Sequence, residues 1–207
     1  KCPRKVVAVA PTDAILGQIN HYFKSDLEYQ EFVPTPNCKP CGGKTIKQGK
    51  TSVKVLFGQP LDKVGRSHED YIPLNIAASI LGYGFHGMLM SKVRMEDGLT
   101  YGVESHITPG AFRLGASFPP RNLEKGVKDI EGVLGVWRDG ITEEEVNIQK
   151  ERLGLMHITL SDKPEVYVVA QHTFLDENKI KACSHADVLA AFDRHIDINK
   201  MSKVIVG

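Results

Sequence analysis

Apolar and polar residues alternate along two stretches of the chain, 53–57 (VKVLF) and 112–118 (FRLGASF), as in strands with one buried face. Residues 100–106 precede the second stretch, and Thr108-Pro109-Gly110 lies between them. Turn residues at that place predict a hairpin of two strands. Two short apolar runs, 4–10 and 203–207, open and close the chain and are predicted to be further strands.

Apolar residues three or four positions apart predict helices elsewhere in the chain. The predicted helices begin near Asp13, Asp70, Leu89, Asn122, Thr142, Pro164 and Ser184. Residues 33–50 are rich in proline and glycine and are predicted to be a long loop. Because the strands cluster and a run of helices follows them, the order favours an α+β fold in which helices cover one face of an antiparallel-rich sheet.

The 207 residues, 42% of them hydrophobic, suffice to bury a core, and no Ser/Gly-rich linker divides them. We therefore predict one domain over 1–207. The net charge of +1, without a basic stripe, disfavours nucleic acid and anionic membranes as partners. No apolar run approaches the about 20 residues of a membrane span, so we expect a soluble protein, with the cytoplasm favoured.

The two ends of the chain resemble each other, since both are short strands of similar composition. The first residue is Lys rather than Met. We therefore expect an excised piece of a longer array of repeated units, or a chain whose targeting segment has been removed.

Cys38 and Cys41 form a CxxC pair in the predicted loop, and three interpretations of it stay open. A structural zinc would need two more ligands, for which Cys183 and His185 are the candidates. A redox pair is expected to open a helix after a strand, whereas this pair lies among Pro and Gly residues. Two unrelated loop cysteines are the simplest interpretation, and zinc near one equivalent in the purified chain would instead favour a metal site.

Residues 82–87 (GYGFHG) match the GxGxxG pattern of dinucleotide sites, but they follow a predicted helix and no βαβ unit surrounds them. The glycines are expected instead to permit a sharp turn between helices. None of the eight histidines belongs to an HxxEH or HExxH motif, and GxSxG is absent. The chain by itself is therefore predicted to be inactive and to bind no cofactor.

Arg94 and Tyr101 lie seven positions apart on either side of the turn Asp97-Gly98. A charged donor and a phenolic donor that converge on one point can hold a peptide carbonyl or a developing oxyanion. The alternative is structural: an arginine at a helix end that pairs with Glu96, and a tyrosine that packs in the core.

The stretch 70–161 resembles the zinc-free, C-terminal type of domain in the insulinase/pitrilysin family of zinc peptidases, to which mitochondrial processing peptidase belongs. The similar segments are LNIAASILGYGFHGMLMSKVR, GLTYGV, GAFRLGASF and the run from FPPRNLEKGV to KERLGL. The end strands also resemble the boundary strands of the repeated domain in this family. The resemblance implies the fold of mitochondrial processing peptidase and LuxS-like metallohydrolases, a two-layer α+β domain.

The resemblance also implies a division of labour between two domains. Zinc is expected on an HxxEH-bearing partner domain, in the same polypeptide or in a second subunit, and the substrate is expected to be a peptide. Arg94 and Tyr101 would contact the substrate backbone near the scissile carbonyl, and Gly98 and Leu99 complete the GLxY signature. A second hypothesis is a non-catalytic scaffold or interaction subunit derived from such a peptidase.

Overall fold

The computed structural model describes residues 13–22, 43–47, 49, 51–161 and 175–207. Five strands form one sheet in the order β1-β5-β2-β4-β3. The strands are β1 Lys44–Ile46, β2 Val53–Pro60, β3 Val103–Thr108, β4 Ala111–Phe118 and β5 Ser202–Val206. β1 runs parallel to β5, whereas the pairings β5–β2, β2–β4 and β4–β3 are antiparallel. The sheet is thus mainly antiparallel, as predicted.

The described ranges contain helices at most of the places that the apolar periodicity predicts. They are α1 Asp13–Tyr22, α2 Tyr71–Gly82, α3 Leu123–Gly135, α4 Glu143–Ser161, α5 Glu177–Ala182 and α6 His185–His195, with a π-helix at Met90–Glu96. The Thr142 hydroxyl accepts a hydrogen bond from the Glu145 N–H (3.2 Å), and Ser184 and Asp187 form the capping box of α6. None of these helices is long and apolar enough to cross a membrane.

The two faces of the sheet differ in burial. Val53, Val55 and Phe57 of β2 are buried, while Lys54 and Leu56 between them are exposed. On the buried face, the Ser105 hydroxyl of β3 donates to the Ala78 carbonyl of α2 (2.7 Å). The α+β prediction is therefore confirmed, with helices packed against one face of the sheet.

Trp137, which follows α3, joins three parts of this core. Its indole N–H donates to the Ala77 carbonyl of α2 at 3.0 Å. Its ring centroid lies 5.2 Å from that of Phe112 on β4 and 4.8 Å from that of Phe192 on α6. The side chain is fully buried, so the sheet and two helices meet around one indole.

An ionic clasp of Asp70, Arg194 and His195 ties the start of α2 to the end of α6. Asp70 Oδ2 accepts hydrogen bonds from Arg194 Nη1 (2.5 Å) and His195 Nε2 (2.7 Å). Burial alone would raise the pKa of this carboxyl, but the bonds from His195 and then Arg194 outweigh it and lower the pKa. The clasp is therefore built around an ionised carboxylate.

Three local elements differ from the sequence predictions. The helix before Arg94 is a π-helix, in which the Asp97 N–H reaches back five residues to the Lys92 carbonyl (3.2 Å). Lys44–Ile46, inside the predicted loop, forms β1 because it pairs with the distant strand β5. The short helix α5 was not predicted.

The strand predicted over 100–106 begins only at Val103. Thr100 causes the difference, because its hydroxyl donates to the Ser117 carbonyl (2.6 Å) and accepts from the Gly102 N–H (3.2 Å). These bonds hold a compact loop ahead of the strand, and Tyr101 lies at its tip.

Several predictions concern residues that the structure does not describe. The strand 4–10, the helix from Pro164, the Cys38–Cys41 pair and most of the loop 33–50 lie outside the described residues. The single domain over 1–207 stays a prediction.

Candidate functional site

A groove of about 530 Å³ lies on the face of the sheet opposite the helices. Leu56, Glu104 and Gly115 contribute to its lining from β2, β3 and β4, and Tyr83 and Gly84 contribute from the turn after α2. Leu56 is 48% exposed, so an apolar side chain is open to solvent in the middle of a polar surface. An apolar floor with polar edges is typical of ligand-binding grooves.

The turn at residues 82–87 is shaped by close packing. A Cβ on Gly82 would lie 2.7 Å from the Ser105 hydroxyl, and a Cβ on Gly87 would lie 2.9 Å from the Tyr83 nitrogen. Only glycine fits at either position, which explains the GxGxxG pattern without a nucleotide.

Two aromatic side chains of this turn each carry an arginine on the ring face. Arg94 Cζ lies 5.2 Å from the Phe85 ring centroid, and Arg152 Cζ of α4 lies 5.4 Å from the Tyr83 centroid. Phe85 is 61% exposed and Tyr83 40% exposed. The contacts are cation–π interactions at a partly solvent-exposed surface, and they place both guanidinium groups at this turn.

Tyr101 is 89% exposed, although its neighbours on both sides are held in place. Leu99 and Thr100 are buried, and the Leu99 carbonyl accepts a hydrogen bond from Asn122 Nδ2 (3.1 Å). The next residue, Gly102, lines the groove. A well-anchored backbone therefore presents the phenol to solvent at the edge of the groove.

The structural alternative for Arg94 and Tyr101 fails on two observations. Glu96 pairs with Lys92 (3.0 Å) rather than with Arg94, and Tyr101 is not in the core. Within the described part of the chain, the only recorded partner of the half-buried Arg94 is the Phe85 ring. Both side chains thus remain available to a ligand.

The chain bends at Gly98, between Arg94 and Tyr101, as the sequence predicted. Gly98 has a φ of +61°, a left-handed conformation that favours glycine, and Leu99 is buried beneath the loop. Asp97 is held by Lys125 (2.9 Å) and Lys92 (3.0 Å), and these bonds lower the pKa of its carboxyl. Both acids at the end of the π-helix are therefore neutralised by lysines.

His68, Asp70 and His195 are the one group in the described residues with three possible metal ligands, all within 4.8 Å of one another. Their atoms already have partners: His68 Nδ1 accepts from the Asp70 N–H (3.1 Å), and Asp70 carries the clasp with Arg194 and His195. Asp70 Oδ2 already accepts from a guanidinium and from His195, so the set does not fit a zinc site. His185, a candidate partner of the CxxC pair, instead has its ring nitrogen 2.7 Å from the Ile141 carbonyl.

Sequence reasoning missed Phe85, Arg152 and the π-helix. Arg152 lies 68 positions after Gly84 in the chain, and no local pattern connects them. The tyrosine and the phenylalanine of the glycine-rich turn could have indicated an exposed aromatic surface, because large aromatic residues in such a turn have little room to be buried.

Comparisons with known proteins agree with this architecture. The profile described as peptidase M16 inactive domain matches residues 6–153. No curated protein matches the chain.

Among solved structures, the peptidase M16 inactive domain from Pseudomonas fluorescens is 24% identical, with a TM-score of 0.75 over 94% of this chain and 50% of that one. A protease from Helicobacter pylori is 17% identical, with a TM-score of 0.71 over 96% of this chain and 53% of that one. The inactive peptidase domain of a putative zinc protease from Bordetella parapertussis is 18% identical, with a TM-score of 0.62 over 76% of this chain and 93% of that one.

The chain spans about half the length of the Pseudomonas and Helicobacter structures. These likenesses establish the fold, and the profile covers well over half of the 207 residues. The protein belongs to the peptidase M16 inactive-domain family.

Proposed function

We propose that this chain is the substrate-binding, zinc-free half of an M16 metallopeptidase. An extended peptide lies in the groove on the open face of the sheet, and the zinc is carried by a partner domain with an HxxEH motif. This zinc supplies Lewis-acid chemistry at the scissile carbonyl. The observation that carries the proposal is the exposure of Tyr101, whose hydroxyl stands free on a firmly anchored loop at the edge of the groove.

The roles of the two donors follow from their chemistry. Arg94 has no acid as a partner in the described residues and Tyr101 is exposed, so both can donate hydrogen bonds to main-chain carbonyls of the peptide. Donors fixed before the substrate arrives stabilise charge that develops on a carbonyl oxygen at little cost in reorganisation. Gly98 sets the bend between the two residues, and buried Leu99 anchors the loop.

The test is peptide cleavage by the chain combined with its zinc-bearing partner. Tyr101→Phe removes one hydroxyl from an exposed side chain, so we expect kcat/KM to fall about a hundredfold while the fold is unchanged. Arg94→Gln is expected to have a similar effect.

Lys128→Gln is the matched control, because Lys128 is an exposed cation on α3, in the helical layer. It should leave cleavage unchanged. Cleavage by Tyr101→Phe and Arg94→Gln within a few-fold of wild type would refute the proposed roles and favour a scaffold subunit.

A further inference from the structure

Arg152 has no acidic partner in the described part of the chain, although it lies beside the groove. Its guanidinium lies over the Tyr83 ring and next to Gly84, and its Nη1 is buried without a hydrogen-bond acceptor. A buried donor without an acceptor costs free energy. The buried Nη1 is out of reach of a ligand, so a carboxylate at the turn would pair with Nη2, which lies beside Gly84.

The turn and Arg152 fit each other closely. Gly84 has a φ of +68°, and a Cβ placed there would lie 2.3 Å from Arg152 Nη2. The residue is therefore glycine for two reasons, backbone conformation and space. A guanidinium held between this backbone and an aromatic ring loses little conformational freedom when it binds a ligand.

The charges around the groove favour an anion near the turn. Lys54 lines the groove, and Arg94 and Arg152 flank the turn that forms its wall. The nearby acids Glu96 and Asp97 are paired with lysines, so they do not offset these charges. Glu104 is the acidic residue of the lining, and it lies on β3 rather than on the turn.

We infer that Arg152 is a specificity-determining residue that selects peptides with a carboxylate positioned at the turn after α2. The inference rests on the proposed peptide-binding function and adds the class of substrate, an acidic peptide. The carboxylate comes from an internal Asp or Glu side chain, or from the C-terminus of the peptide. A planar guanidinium suits either source because it pairs with both carboxylate oxygens.

The experiment measures binding of fluorescent peptides to the full chain by anisotropy. One peptide has internal glutamates and blocked ends, the second has glutamines in their place, and the third is the glutamine peptide with a free C-terminal carboxylate. We expect the wild type to bind at least one carboxylate peptide about fivefold more tightly than the blocked glutamine peptide, as for a partly exposed ion pair. The preference should shrink as salt rises above about 0.1 M.

Variants of Arg152 assign the preference to this side chain. Arg152→Gln should abolish it, and Arg152→Lys should retain part of it, whereas Lys128→Gln, which removes a cation from α3, should leave it intact. Circular dichroism melting curves establish that each variant is folded.

Equal affinity of the wild type for all three peptides would overturn the inference and leave peptide binding in place. A preference that survives Arg152→Gln would also overturn it. If no peptide binds, the proposed function fails as well, so the two failures are distinguishable.

Discussion

Gly98 and Gly102 flank Tyr101 and differ in what their backbone requires. A Cβ would meet no atom within 4 Å at either position, so space does not demand glycine. Gly98 alone has a positive φ, +61°. Its role is therefore conformational, and a substitution there measures backbone strain without a steric clash.

Gly98→Ala should destabilise the fold by about 1 kcal/mol, because alanine adopts the left-handed conformation only at that cost. Gly102→Ala is the control and should cost clearly less. Urea denaturation of both variants gives the comparison. Equal losses would mean that the φ of Gly98 is not what makes glycine necessary at the bend.

At the residue scale, the sequence offered Arg94, Tyr101, Gly98 and Leu99 as candidates, but it did not predict the contacts that hold their loop in place. A helix was predicted to begin near Asn122 and does so, but the Asn122 amide donates to the Leu99 carbonyl, 23 positions earlier in the chain. Thr100 was predicted to lie in a strand, yet its hydroxyl donates to the Ser117 carbonyl and shapes the loop of Tyr101. Such bonds depend on which distant carbonyl lies within reach, and a linear pattern does not contain that information.

At the element scale, prediction succeeded where burial alternates regularly. β2 and β4 follow the apolar pattern because one side of each faces the core, and α2 is apolar almost throughout because all its residues except Asn75 are buried. The π-helix could not be predicted, since its apolar residues Met90 and Val93 have the spacing of an ordinary helix. β1 is three residues long and exposed, so its sequence has no alternation of apolar and polar residues that would predict its pairing with β5.

Helix α3 offers a matched pair of glycines. Gly132 is exposed, and an added Cβ would meet nothing within 4 Å, whereas a Cβ on Gly126 would lie 2.2 Å from Phe118 Cε1. Gly132→Ala should therefore stabilise the protein by about 0.5–1 kcal/mol through helix propensity. Gly126→Ala should destabilise it by about 1–3 kcal/mol through overpacking.

Thermal unfolding followed by circular dichroism measures both effects. A gain of stability in Gly126→Ala would contradict the close packing of α3 on Phe118 of β4, and a loss in Gly132→Ala would contradict the open surroundings of Gly132.

At the scale of the whole molecule, helices cover one face of the sheet and the other face is open. The clasp of Asp70, Arg194 and His195 secures α2, and the turn that carries Tyr83 and Gly84 begins where α2 ends. Composition and the order of elements were enough to predict the two layers. They were not enough to predict the clasp, because Asp70 and His195 lie 125 positions apart.

Asp70→Asn tests the clasp through its dependence on pH. The folded-state pKa of Asp70 is lowered, so the carboxylate stabilises the fold above the unfolded pKa of about 4, and this contribution is lost as pH falls through the folded value. At pH 7 we expect the variant to be about 2 kcal/mol less stable than wild type. The difference should shrink in acid.

Asp193→Asn serves as the comparison. Asp193 pairs with Arg138 in an exposed ion pair, so its loss should cost at most about 1 kcal/mol. Denaturation curves at neutral and acid pH measure both variants. A cost for Asp70→Asn that does not change with pH would show that the charge of this carboxylate is not what joins the two helices.

The chain contains a single tryptophan, Trp137, and its indole is completely enclosed where α2, β4 and α6 meet. The molecule therefore carries an intrinsic optical reporter at its centre. Native protein should fluoresce at short wavelength, and separation of any of these three elements should admit water and shift the emission to the red. Loosening of the interior can thus be followed in real time without attaching a dye.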